Sequence, residues 1–271
     1  MATTRGRSGS GTKSRDTGKR RTKTTASGPG RTKQTQRSTP VRSRRTTSGG
    51  TRGGTARQRA IVRALLERHG ETYAAEAGIT LRDTPSPLYR LLVLAMLLSA
   101  RIRSDIAVAS ARALSDAKMR DARRMADATW QQRVDALGEG GYRRYDERTA
   151  TMLGQGAELL LSEYGGDLRK LRERDDPAAA LREIPGFGPV GVDIFLREAQ
   201  AVWPEFRPYL DKKALQGAGK LGLPDSARKL AQLVDQDDLA GLAAGLVRAS
   251  LSSKVADEVL EAAGSTKSKS S

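Results

Sequence analysis

From residue 56 onward apolar side chains recur at intervals of three and four, and no stretch sustains an alternation of period two. That pattern predicts helices throughout. Ile61, Val62, Leu65 and Leu66 mark a first amphipathic helix that ends at His69-Gly70. Pro87 is read as opening a second, in which Leu88, Leu91, Leu92, Leu94, Ala95, Met96 and Leu98 leave almost no polar face. A helix apolar nearly all round belongs at the centre of a bundle. Ser104 is expected to cap a third over Ile106, Ala109, Ala113 and Leu114, and shorter helices follow around 121–128 and 130–137. Gly138, Gly140 and Gly141 break the chain before a long helix carrying Ala150, Leu153, Ala157, Leu160 and Leu161, which Gly165-Gly166 stop. Asp176-Pro177 starts a helix that ends at Ile184, and Pro189 starts one that runs through Val202 to Pro204. Asp225 caps one more, and 239–249 with 256–263 complete an all-α body of about ten helices.

Charge divides this body from what precedes it. Residues 1–60 hold 17 Lys/Arg against one acid, Asp16, so almost all of the formal net charge of +17 belongs to them. Rich in Thr, Ser, Gly and Arg, residues 1–55 cannot bury enough surface to offset the entropy of ordering and are expected to be a disordered basic arm. Such an arm neutralises phosphates and releases counterions, a salt-sensitive attraction to nucleic acid that carries no sequence reading. It has no apolar face to anchor it in a lipid surface, and no amphipathic period of the kind a transit peptide shows. The apolar run Leu91–Leu98 is too short to span a bilayer, so a protein without a membrane partner, cytoplasmic and DNA-associated, is expected. With no cysteine there is no disulfide, no Cys-ligated zinc and no iron–sulfur cluster. His69, the one histidine, reads as a helix-end residue.

Chemistry must then come from carboxylates, lysines or backbone, and one stretch gathers them. Ile184-Pro185-Gly186-Phe187-Gly188-Pro189-Val190-Gly191 reads as a glycine hairpin between two helices, with Tyr209-Leu210-Asp211 about twenty residues downstream. Exposed amides at the start of the second helix, with its dipole, make a site for a phosphate. A plain turn in a helical protein would use the same glycines. Asp211 has an equally ordinary role open to it, as a helix N-cap or in a salt bridge with Lys212 or Lys213.

The order of segments over residues 86–223 resembles the endonuclease-III-like helix-hairpin-helix DNA glycosylases. Pro87-Leu88-Tyr89-Arg90-Leu91-Leu92 through Leu97-Leu98-Ser99-Ala100-Arg101, with Asp105 and a helix behind it, looks like the family's first core segment. Gly141-Tyr142-Arg143-Arg144-Tyr145 is similar to its middle segment, 184–188 to its hairpin, and Leu210-Asp211 to the dipeptide that closes the motif. The resemblance implies a two-lobed fold with a central DNA-binding cleft, lobe one about 86–203 and lobe two about 56–80 plus 205–263, between the arm and a short disordered tail at 264–271. It implies a monomer on double-stranded DNA that hydrolyses the N-glycosidic bond of an everted base, with Asp211 catalytic. Pro185, Gly186, Phe187, Gly188, Val190 and Gly191 would hold the backbone, with Arg101, Lys212 and Lys213 as further DNA contacts. The carbonyls of Ile184, Phe187 and Gly188 would hold a monovalent cation.

This chain departs from the family at Val190, where bifunctional members carry the lysine that forms a Schiff base, so a monofunctional hydrolase is expected. Asp193 stands where the family has a small polar run, and Arg101 where many members have a glutamine. Two other readings stay open: a catalytically silent helix-hairpin-helix DNA-binding protein with a structural Asp211, and a nucleoid or RNA binder driven by the arm alone.

Overall fold

The structure, a computed structural model, describes residues 49–265, with side chains from residue 56. Most of the basic arm expected over 1–55, and all but the first residues of the tail expected over 264–271, lie outside the described residues. The two tail boundaries shift where they can be seen: α1 (Gly49–His69) starts inside the arm, and α14 (Ser253–Ser265) runs past Ala263. Once packing has nucleated a helix, extension costs little per residue, so the helix outlasts its apolar stripe.

The described residues form fourteen α-helices and two 3₁₀ turns, with no strand among them. After α1 come α2 (Tyr73–Glu76), α3 (Pro85–Ser99), α4 (Ser104–Asp116), α5 (Ala122–Asp127), α6 (Trp130–Glu139) and α7 (Asp146–Tyr164). The chain continues with α8 (Leu168–Arg172), α9 (Pro177–Glu183), α10 (Pro189–Ala199), α11 (Lys212–Lys220), α12 (Ala227–Ala231) and α13 (Leu239–Leu251) before α14. The helices beyond those expected are α2, α8 and α11, the first two too short to develop an apolar period. None of the described helices is long and apolar enough to cross a membrane.

Local chemistry accounts for most boundaries and corrects several. Asp121, Thr129, Asp167 and Asp176 accept hydrogen bonds from amides in the first turns of α5, α6, α8 and α9, and Thr129 with Gln132 closes a capping box. Gly165 ends α7 in the left-handed region at φ 62°. Ser104 is the first residue of α4 rather than its cap, because Arg103 takes the extended cap position and pairs with Asp105 at 2.7 Å. α3 starts at Pro85, so two prolines share its first turn, where a missing N–H costs nothing. Ser226, not Asp225, precedes α12, and α10 stops at Ala199 because Gln200 turns its side chain back on the helix end.

Two apolar cores form. One runs from Tyr73 to Trp203 around α3, whose Leu88, Leu91, Leu94 and Leu97 are fully buried, each worth about 1.5–3 kcal/mol in transfer free energy. The other joins α1 to 210–263 through Leu65, Leu230, Leu242, Leu246 and Val259. The first lobe therefore begins near Tyr73, not at 86: Tyr73, Ala74, Ala77 and Ile79 pack into its core although the sequence grouped them with the second. α10 packs on both α3 and α13 and so joins the two cores. The segment 69–76 is pinned from each side. Both oxygens of Glu198 accept from the amides of Tyr73 and Ala74 at 2.8 Å, while Arg248 of α13 donates to the carbonyls of His69 and Glu71 and lies over the Tyr73 ring.

Candidate functional site

The bend between α9 and α10 closes with a bond from Phe187 N–H to Ile184 O at 2.9 Å. Gly186 has φ +80°, a conformation that favours glycine, and a Cβ there would push on the Met152 side chain of α7. Pro185 is half-buried and Gly186, Gly188, Pro189 and Val190 are exposed, while Ile184, Phe187 and Gly191 are buried. The Phe187 ring is a plug that meets Phe195 edge-on, and Phe195 in turn meets Trp203. Val192 N–H is bonded to Gly188 O, which leaves the amides of Val190 and Gly191 ahead of the first intrahelical bond of α10. Amides left unbonded at a helix start are where an anion can bind.

Beside the bend lies a cavity of about 910 Å³ between the two cores. Its walls are the α3–α4 connection (Leu98, Ala100, Ile102–Asp105), one face of α10 (Val190, Asp193, Ile194, Arg197), the start of α11 (Asp211–Lys213, Gln216) and Val247 and Leu251 of α13. Tyr73 completes the lining. Lys212 is exposed and Lys213 half-buried, both on the lining; Arg101 is exposed on the α3–α4 connection and does not line the cavity. Val190 is 59% exposed on the wall.

The Asp211 side chain is only 8% exposed. Its Oδ1 accepts from Ala214 N at 3.2 Å as the N-cap of α11, and the same oxygen faces Arg197 Nη1 at 3.6 Å. The loop that delivers Asp211 is fixed to the end of α10. Gln200 donates to the carbonyls of Arg197 and Tyr209 and accepts from Tyr209 N–H, and Arg207 donates to the carbonyls of Gln200 and Ala201 at 2.6 Å each. The Tyr209 hydroxyl donates to Asp193 Oδ1 at 2.7 Å; burial, then the bond to that carboxylate, pushes the phenol well above its ordinary value. Asp193 is thereby tied to the Tyr209 hydroxyl.

The cavity floor holds residues that sequence reasoning passed over. Arg197 is buried beside Asp211, and its Nη1 has no hydrogen-bond partner. The signal was available: Val190, Asp193, Ile194 and Arg197 fall at helical spacing on one face of an otherwise apolar helix. Tyr73 left no such trace, because a four-residue helix far off in the chain carries it in.

No family model and no curated protein matches this chain. Among solved structures it is similar to a trapped endonuclease III–DNA covalent intermediate in an estranged-adenine complex, at 14% identity over 70% of this chain and 84% of that one, with a TM-score of 0.41.

Proposed function

We propose that the protein is a monofunctional DNA glycosylase that hydrolyses the N-glycosidic bond of a damaged or mismatched base turned out of double-stranded DNA. The observation that carries this reading is the single cavity into which both the phosphate-binding end of α10 and the carboxylate of Asp211 open. Extruding a base costs a few kcal/mol, and a large cavity beside a backbone clamp offers that base somewhere to go. As the bond breaks, positive charge grows on the sugar, and the Asp211 side chain stabilises it or orients the attacking water. With Val190 in place of a lysine, α10 offers no amine for a Schiff base beside the bend, and this reading therefore leaves the strand intact, with Lys212 and Lys213 as strand contacts.

The backbone of 185–191 holds the phosphate, and Lys212 and Lys213 contact the strand at the cavity mouth. The carbonyls of Ile184, Phe187 and Gly188 would hold a monovalent cation against the phosphate. The bonds that Ile184 O and Gly188 O already accept use one lone pair each, so the set fits such an ion. The arm adds salt-sensitive residence on DNA.

A second reading, a silent DNA-binding protein, is favoured by the capping bond that already occupies Asp211. Duplexes bearing uracil, alkylated purines, oxidised guanine or mismatched adenine, treated with hot alkali after incubation, separate the two. Abasic sites that borohydride does not trap on the protein are expected. Tight binding with no base released from any duplex would establish the silent reading.

A further inference from the structure

Arg197 is a permanent cation, nine-tenths buried, with a donor that meets no acceptor. Buried donors are almost always satisfied, and each exception needs a reason. Asp211 does not supply one: 3.6 Å is beyond hydrogen-bond range, and its Oδ1 already accepts from Ala214. The guanidinium stands on the cavity floor with Ile194 and Val247 beside it, apolar walls that strengthen any interaction it makes. The other arginine on the lining, Arg103, is exposed at the rim and engaged with Asp105.

We infer that the Arg197 guanidinium, which lines the cavity, donates to a ring carbonyl oxygen of a neutral everted base, and that it stabilises that base as it departs. The inference rests on the glycosylase reading. When the bond from the sugar carbon to a neutral base breaks, its electron pair leaves with the ring nitrogen and spreads onto the adjacent carbonyl oxygen. Arg197 neutralises that developing charge. Water supplies the new bond to the sugar carbon, and its proton passes through Asp211 to the departed base. A cationic N-alkylated purine leaves as a neutral molecule, gains nothing from the arginine and meets its like charge on entry. The site therefore selects neutral, carbonyl-bearing bases over cationic alkylated ones.

Single-turnover release by the full chain from duplexes bearing uracil, 5-fluorouracil or N3-methyladenine tests this. Uracil is expected to leave at least about tenfold faster than N3-methyladenine. In Arg197→Gln, uracil release is expected to fall about 100-fold. The ratio of 5-fluorouracil to uracil release should rise there, because the acidity of the leaving nitrogen now governs departure; a general loss of structure would not move that ratio. Faster release of N3-methyladenine by the unaltered protein, or a ratio unchanged in Arg197→Gln, overturns the inference while leaving the glycosylase reading intact. If that variant does not fold, the uracil to N3-methyladenine ratio of the unaltered protein decides alone. Failure to release any base from any duplex ends both.

Discussion

Arg197 and Glu198 are consecutive on α10 and both are buried, yet they sit in opposite kinds of surroundings. Glu198 turns toward the joint at 69–76, where each of its oxygens receives an amide hydrogen at 2.8 Å. Arg197 lines the cavity, where its Nη1 faces Asp211 at 3.6 Å without a hydrogen bond. A buried charge with its bonds complete holds structure together, whereas one left incomplete is costly and persists for another reason. The same helix thus has a structural side and a side prepared for a ligand.

That contrast can be broken or sharpened by substitution. Glu198→Ala should have the largest effect on stability, since it orphans two buried amides at about 1–3 kcal/mol each; urea unfolding would measure it. Gly186→Ala should come next, at about 1–2 kcal/mol for a left-handed position, with DNA binding lost at a salt concentration the parent tolerates. Arg197→Met should destabilise least of the three, because its Nη1 has no hydrogen bond to lose and Asp211, though it loses the cation at 3.6 Å, keeps its capping bond to Ala214. If Arg197→Met proved as damaging as Glu198→Ala, the two sides of α10 would not differ as described.

The smallest effect is one of pH. Burial raises the Glu198 pKa above its ordinary value of 4.5, with the amide bonds and nearby arginines opposing it. A raised folded value means that the native state holds the proton more tightly than the unfolded chain. Its contribution is complete below 4.5 and is lost as pH rises through the folded value. Asp167, lowered by its bond to Arg169, acts in the opposite sense, with stability present above its ordinary value and lost as pH falls through the folded one. Glu198→Gln should therefore flatten the decline on the alkaline side of 4.5 and leave the acid limb in place, as read from melting temperature against pH.

Helices and their caps were legible because they rest on neighbours: Asp176-Pro177 and Gly165 act within a turn of their own positions. The bend was legible for the same reason, since Gly186 is required by its own φ. Asp211 stood out as a candidate together with its ordinary role as a cap, whereas its ion pair falls to Arg197 and not to Lys212 or Lys213. Its ordinary role as a cap and its place on the cavity wall are both realised, and only the fold brings Arg197 to it. The lobe boundary was misplaced because Tyr73–Ile79 is joined to its lobe by Glu198, more than a hundred residues away. Contacts of that range leave no period in the sequence.

The central claim is that Asp211 serves the cavity as well as its helix. Asparagine caps a helix about as well as aspartate but carries no charge, so Asp211→Asn separates the two duties. In single-turnover assays on a lesion-bearing duplex from which the parent protein releases the base, Asp211→Asn should lower base release by about 100- to 1,000-fold with an unchanged melting temperature. Base release at the parent rate from a fully folded Asp211→Asn protein would contradict the account.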